Sequence, residues 1–345
     1  MKKSLVTLAI LAASSAAIAQ SSVTLFGVVD TWIGSSKVEV AGVGARQAKI
    51  DANGLNGSRW GMRGTEDLGG GLLAMFMLES GINPDTGTSG QGGLLFGRQA
   101  FVGLTGNFGT VSLGRQYTAY DSVHSVGNNN YDAFTFNATT GAAGAGSVGN
   151  NGLQDYSGRA DNSIIYASPV FGGFSGAVGY SFGENKNVGV NAGGSATDNS
   201  SYRVQFANGP VYVGYAFQQE KQPAAVGVAQ DKRKYHVLSA TYDLGVAKLN
   251  GFYNTAKSNV FSDKEYNVGV VVPFGAAALS AGYARSKTES GGISNTGKGF
   301  SVVGSYDLSK RTRVYIAALS QTSHPLNVAA ETKTTIYGAG IRHSF

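Results

Sequence analysis

From residue 23 to its last residue the chain alternates apolar side chains with small or polar ones, at a period of two. Tyr266, Val268, Val270, Val272 and Phe274 alternate with Asn267, Gly269, Val271 and Pro273, and Val211, Val213, Tyr215 and Phe217 with Tyr212, Gly214, Ala216 and Gln218. The last segment sets Tyr337, Ala339, Ile341, His343 and Phe345 against Gly338, Gly340, Arg342 and Ser344. Successive side chains of a strand point to opposite faces, so each segment has one apolar face. No helical spacing is sustained, and the pattern predicts an all-β protein.

Sixteen such segments are legible, at about 23–35, 58–68, 71–81, 96–106, 109–118, 162–169, 174–183, 201–209, 211–219, 234–244, 247–256, 264–274, 276–287, 298–308, 312–322 and 334–345. Short turns at 69–70, 107–108, 170–173, 209–210, 245–246, 275 and 309–311 alternate with longer polar loops. The loops fall at 36–57, 82–95, 119–161, 184–200, 220–233, 257–263, 288–297 and 323–333. A meander with tight turns at one rim and long loops at the other produces that alternation. A two-sheet sandwich is the competing architecture, but it rarely needs so much glycine opposite its apolar face. The chain has 51 glycines in 345 residues, about twice ordinary usage.

Lys2 and Lys3, the apolar run from Leu5 to Leu11 and the small residues ending Ala17-Ile18-Ala19 predict a secretory signal peptide over 1–19. Residues 20–345 are then a single domain. No later stretch is apolar for the roughly eighteen residues a membrane helix needs. The prediction is a 16-stranded antiparallel transmembrane β-barrel with short periplasmic turns and long extracellular loops. Closure removes the edges an open sheet would expose, and a barrel of this size leaves an aqueous channel. Apolar side chains then face lipid, which explains a mean hydropathy of only -0.06. Phe345 and Tyr337 suit an aromatic girdle, with Phe26, Trp32, Trp60, Tyr180 and Phe274 as further candidates; ordinary lipid-facing packing or subunit contact is the alternative for each.

Residues 119–161 form the third long loop, and its aromatics Tyr120, Tyr131, Phe134, Phe136 and Tyr156 predict that it folds inward and narrows the bore. Arg59 and Arg63 share one face of SRWGMRG, with Trp60 and Met62 on the other. Arg98 opens RQAFVGL and Arg159 closes the loop. An arginine facing hydrocarbon costs roughly 2–4 kcal/mol at the bilayer midplane, so the lumen is preferred. Pairing with wall carboxylates, or a place at the rim, is the alternative for any one of them. Arg115 shares parity with Val111 and Leu113, which leaves its direction open.

Four segments, SRWGMRGTEDLGGGL, FGRQAFVGLTGNFGTVSLGRQYT, RADNSIIYASPVFGGFSGAVGYS and IYGAGIRHSF, resemble the Gram-negative general diffusion porins. The likeness extends over the whole chain and is greatest to the porins of β-proteobacteria such as Burkholderia, Bordetella and Neisseria relatives. It implies a homotrimer of barrels in outer-membrane lipid and lipopolysaccharide, passing ions and small hydrophilic solutes. It also implies a constriction where wall arginines face acids on the third loop. Arg59, Arg98 and Arg159 stand where the family motifs place the basic cluster, with Arg63 as a fourth. Asp121 and Asp132 are the loop acids. The loop lacks the PEFG turn of the enteric members, and Asp30 falls near a position often basic in them, an arrangement expected to soften anion preference.

The expected function is an outer-membrane channel for passive diffusion, weakly to moderately anion-preferring. The alternative is a channel specific for one sugar or anion, which would need an aromatic slide along the lumen. No enzyme, cofactor or metal is expected. The G-x-G-x-x-G at 144–149 follows no strand, the four histidines are scattered, cysteine is absent, and an excess of six basic residues is too small to suggest nucleic acid as a partner.

Overall fold

The computed structural model describes residues 22–127, 134–139, 156–184, 197–222, 224, 229–324 and 330–345. The signal-peptide segment and Asp132 lie outside the described residues. The strands in chain order are β1 (Ser22–Val40), β2 (Arg46–Ala52), β3 (Arg59–Gly69), β4 (Leu72–Asn83), β5 (Thr88–Ser89), β6 (Gln99–Gly106), β7 (Gly109–Tyr117), β8 (Arg159–Ala167) and β9 (Phe174–Ser181). They continue as β10 (Asp198–Asn208), β11 (Val211–Lys221), β12 (Lys232–Asp243), β13 (Lys248–Lys257), β14 (Phe261–Phe274), β15 (Ala277–Ser290), β16 (Ile293–Asp307), β17 (Thr312–Ser323) and β18 (Thr332–Ser344). Among the described residues of the third loop there is one α-helix, α1 (Ala119–Gly127).

Every neighbouring pair is antiparallel, and β18 returns to β1 in register from Val28↔Ser344 to Val40↔Thr332. The barrel is therefore closed. β2 pairs with the upper half of β1 and β3 with its lower half, so the two form one wall strand interrupted at 53–58. β5 is a short ribbon on β4. With β2 and β3 joined and β5 set aside, sixteen strands make the wall.

The alternation sorts as an inside-out pattern. Val268 and Phe300 are 55% and 53% exposed, whereas their chain neighbours Asn267 and Ser301 are 1% and 0% exposed. Apolar side chains thus line the outer surface and polar ones the lumen. Tyr180, Phe274, Tyr337 and Phe345 are exposed on that outer surface. Trp32 is not: it shares the inward parity of Val28 and Asp30 and is buried against Phe136, with ring centroids 5.0 Å apart. Phe26 has the same inward parity and lies under the Arg63 guanidinium. Both depart from their expected place in a girdle, because an even position of β1 faces the lumen whatever its side chain.

Three expected long loops are shorter than their sequences suggest. β1 and β2 make a hairpin across 36–52, and only 258–260 separate β13 from β14 and only 291–292 separate β15 from β16. Above the lipid band both faces of a strand meet water, so apolar alternation fades while the backbone ladder continues.

The apolar interior lies between the third loop and the lumen wall. α1 places Tyr120, Val123, His124 and Gly127 on one buried face, the i, i+3, i+4, i+7 spacing of a helix. That face packs on Ala216, Tyr235, Val237, Phe252, Ala256 and Phe261 of β11–β14. Residues 134–139 reach another part of the wall, where Phe136 packs with Trp32, Leu55, Val303, Tyr315 and Ile336. There Ala138 comes so close to β16 that a Cβ on Gly299 would stand 2.0 Å from its carbonyl oxygen.

Asp30 anchors this side. Its carboxylate accepts the backbone N–H groups of Gly54, Leu55 and Asn56 at 3.2, 2.8 and 2.7 Å, and the Tyr315 hydroxyl at 2.6 Å. It is fully buried and so does not face the bore, contrary to the expectation that it would soften the channel's charge preference. The 53–58 turn it holds in turn takes Phe134 and Thr135 as backbone donors, to Gly54 and Asn53 respectively, each at 3.1 Å. Asp30→Ala strands buried donors that cost about 1–3 kcal/mol each. The expected result is a lower denaturant midpoint in detergent and faster proteolysis within 53–58; an unchanged midpoint would contradict the anchoring role.

Candidate functional site

The bore's narrowing is built where α1 and the returning end of the loop face β3, β4, β6 and β8. Thr118 accepts the Asp121 N–H at 3.2 Å as the helix cap, and Asp121 lies in the first turn, where a carboxylate suits the helix dipole. Ala119 N–H is fixed to Ser201 Oγ at 3.2 Å, Tyr120 Oη donates to Asn254 Oδ1 at 2.6 Å, and Asn250 donates to the Gly127 carbonyl at 2.9 Å. The helix is therefore bolted to β10 and β13 along its length. Arg203, inward on β10, adds a bond from Nη1 to Ser122 Oγ at 2.8 Å.

Opposite, three of the four expected arginines come together. Arg98 Nε pairs with Glu79 Oε1, and Arg59 Nε lies 3.7 Å from the same oxygen. Arg98 Nη2 donates to the Tyr117 hydroxyl at 2.7 Å, and Arg159 donates to that hydroxyl from its other side. The Arg159 guanidinium lies over the Tyr117 ring, 4.3 Å from its centroid. Arg63 stands apart, two residues beyond Gly61 on the same face of β3, exposed and without a carboxylate partner among the described residues. Its guanidinium lies 5.2 Å from the Phe26 ring centroid.

Asp121 is near enough to Arg159 and Arg98 for both to favour its charged form, and it accepts the Tyr156 hydroxyl at 2.9 Å. Burial outweighs these and pushes its carboxyl up to about 6. Its neighbour His124 shares Tyr156 at 2.9 Å and is pulled down to about 3 by burial, so it stays neutral near pH 6. Arg115 takes neither part: it keeps the outer parity of Leu113, donates to the Gly97 carbonyl and pairs with Asp161 at 2.5 Å.

Glu79 and Tyr117 complete the cluster and were missed from sequence. Glu79 carries a legible signal, since in MFMLES it lies opposite Gly61 and so on the lumen face. Tyr117 carries none, because it follows a register shift between Gly114 and Gln116 that no pattern announces. The helix was missed as well: nine residues are too few for its spacing to stand out beside a period of two.

A family model described as Gram-negative porin matches residues 6–323. An outer membrane porin of Bordetella pertussis is 34% identical, with both chains covered in full. Outer membrane porin protein 32 of Delftia acidovorans is 39% identical over 80% of this chain and 77% of its own length. Among solved structures, an anion-selective porin from Comamonas acidovorans superposes with a TM-score of 0.75 at 31% identity, over 94% of this chain and 100% of that one.

The geometry makes the site's charge depend on pH. Asp121 is ionised above about pH 6 and neutral below it, so acidification removes a negative charge facing Arg98 and Arg159. The field at the narrowing therefore becomes more positive as pH falls through about 6. Reversal potentials in a salt gradient should move toward the anion equilibrium potential across that interval. Asp121→Asn should hold the acidic value throughout; a variant that keeps the step would sink the assignment.

Proposed function

This chain belongs to the Gram-negative porin family and is an outer-membrane β-barrel channel, and we propose that its constriction gives the channel a weak to moderate preference for small anions. The supporting observation is the charge balance at the narrowing. Arg59 and Arg98 share one wall carboxylate, Glu79, Arg159 joins them through the Tyr117 hydroxyl, and Arg98 and Arg159 act on Asp121 of the loop. Three guanidiniums against two carboxylates leave a positive excess, and Arg63 extends it along β3.

Basic side chains on the wall and a carboxylate on the loop set a field across the gap, focused by the low-dielectric barrel around the water. A hydrated anion crossing that gap exchanges water for guanidinium N–H donors, which present several parallel donors at fixed geometry. Small polar solutes align with the field, whereas an apolar solute disturbs the ordered water without gaining a partner. The filter is thus size and polarity first, and charge second. Exposed lumen charges are screened over about 10 Å at 0.1 M salt, so the preference weakens as ionic strength rises.

A slide for one sugar would need rings presented to the bore. The large inward wall aromatics Trp32 and Tyr235 are instead buried against the third loop's own Phe136 and Tyr120. We also propose that the channel works as a homotrimer in a leaflet of lipopolysaccharide, each barrel keeping its own pore. The Arg115–Asp161 pair on the outer side of the barrel supports a protein contact there, since charges facing hydrocarbon cost about 2–4 kcal/mol near the midplane.

Planar-bilayer recording of the refolded protein tests this reading. Conductance in three equal steps, nearly linear in salt, with reversal potentials on the anion side at low salt is the expected outcome. Arg98→Gln should shift selectivity toward cations and Glu79→Gln further toward anions. Clear cation preference in the unmodified protein would overturn the reading.

A further inference from the structure

On the long-loop side of the narrowing, the lumen wall carries a row of polar side chains that the register sets side by side. β8 begins at Arg159, β9 ends at Ser181, β10 begins at Asp198 and β11 ends at Lys221, so these ends share the rim of the long loops. There Ser181 lies opposite Asn199, Asn199 opposite Glu220, and Glu220 opposite Arg233. All four have the inward parity of Ser201, Gln218 and Tyr235. Directly opposed residues on one face have Cβ atoms about 4.5–5.5 Å apart, so one small molecule reaches two or three of them at once.

A cavity of about 560 Å³ opens on this row, lined by Arg159, Ser181, Asn199 and Glu220, with the exposed Asp161 and Glu184 also on its wall. Pockets that hold small molecules have volumes of about 300–1,000 Å³. Two donors beside it are unused: the amide nitrogen of Asn199, a residue only 6% exposed, and Nε of Arg159. The Glu220 carboxylate is fixed in place, for its Oε1 accepts the Ser157 N–H at 2.6 Å and the Gln218 amide at 2.8 Å. Ser157 is two residues from Arg159, a span of at most about 7 Å, so both charges belong to one small space.

The neighbouring charges are already engaged. Arg233 lies 3.5 Å from Asp231, and Asp161 pairs with Arg115. What the cavity offers is one cation, Arg159, and two carboxylates, Glu220 and Glu184. A simple anion meets two like charges there, and a simple cation meets the guanidinium. A molecule carrying one charge of each sign meets a partner for both.

We propose that this cavity is a subsite for small zwitterions of the α-amino acid class, with the ligand's carboxylate taken by Arg159 and the Asn199 amide and its ammonium by Glu220. The assignment rests on the channel reading above and adds a class of solute to it. Charge-assisted hydrogen bonds at both ends orient the solute beside Arg159, one of the arginines of the narrowing, before it crosses. A site inside a channel must also release what it binds, which sets the affinity at about millimolar.

The full refolded protein is titrated in planar bilayers, and by calorimetry in neutral detergent, with three solutes of similar size. They are alanine, lactate with a hydroxyl in place of the ammonium, and alaninol with a hydroxymethyl group in place of the carboxylate. Alanine should bind and reduce the chloride current saturably, at concentrations about tenfold below either analogue. Glu220→Gln keeps an acceptor for the Ser157 N–H and removes the charge, so it should weaken alanine about tenfold while lactate holds or gains. Asn199→Leu, which removes the amide at similar volume, should weaken alanine and lactate but not alaninol. Alanine and lactate acting at equal concentrations, or unaltered alanine binding in both variants, would overturn the subsite. Calorimetry reads binding whether or not the barrel conducts. An unmodified protein that binds alanine without conducting ions refutes the channel reading alone, and one that conducts without binding alanine refutes the subsite alone.

Discussion

Inside a hydrocarbon layer no water is available to a backbone N–H or C=O, so each such group must be paired within the protein, at a cost of several kcal/mol for each one left over. For a chain crossing with strands, the only complete solution is a ladder that returns to its start. The pairing of β18 with β1 over the length from Val28 to Val40 is that return. It fixes the rest: an even alternation of lumen and lipid faces, turns at one rim, and a bore too wide to be filled by wall side chains. Even the interruption at 53–58 keeps the rule, because β2 and β3 share β1 as one continuous partner and Asp30 collects the N–H groups that the excursion frees.

A bore of that width creates the second requirement, a means of narrowing it that does not collapse onto itself. The third loop meets it by carrying the apolar residues that a soluble protein would place in a core. Tyr120 and Val123 bind it to β11–β14 at its start, and Phe136, further along, binds it beside Trp32 and Tyr315. The lumen face beneath the loop is accordingly more apolar than the open wall. That packing and the hydrogen bonds into β10 and β13 hold α1, so the position of Asp121 is set by packing rather than by attraction to the arginines it faces.

Charge is distributed on the same logic. Inside, guanidiniums outnumber carboxylates at the narrowing, where water and low-dielectric walls let their field act on a passing ion. Outside, above the aromatic rows, basic residues oppose one another on β12–β16, with Glu289 beside Lys287.

Much of this was legible in the residues. A period of two follows from strand geometry, so the all-β class, the number of wall strands and the lumen parity of Arg59 and Arg63 come directly from the spacing in segments such as SRWGMRG. The long aromatic loop announced its inward fold in the same way. What depends on register and on contacts between distant segments was not legible. The sharing of Glu79 by Arg59 and Arg98, the place of Tyr117 after a register shift, the burial of Asp30 and Trp32, and the facing of Lys264 by Lys287 each join residues whose separation no local period encodes. Alternation states which face a side chain takes; only the closed barrel, by fixing how far each strand is staggered against the next, decides what it meets there.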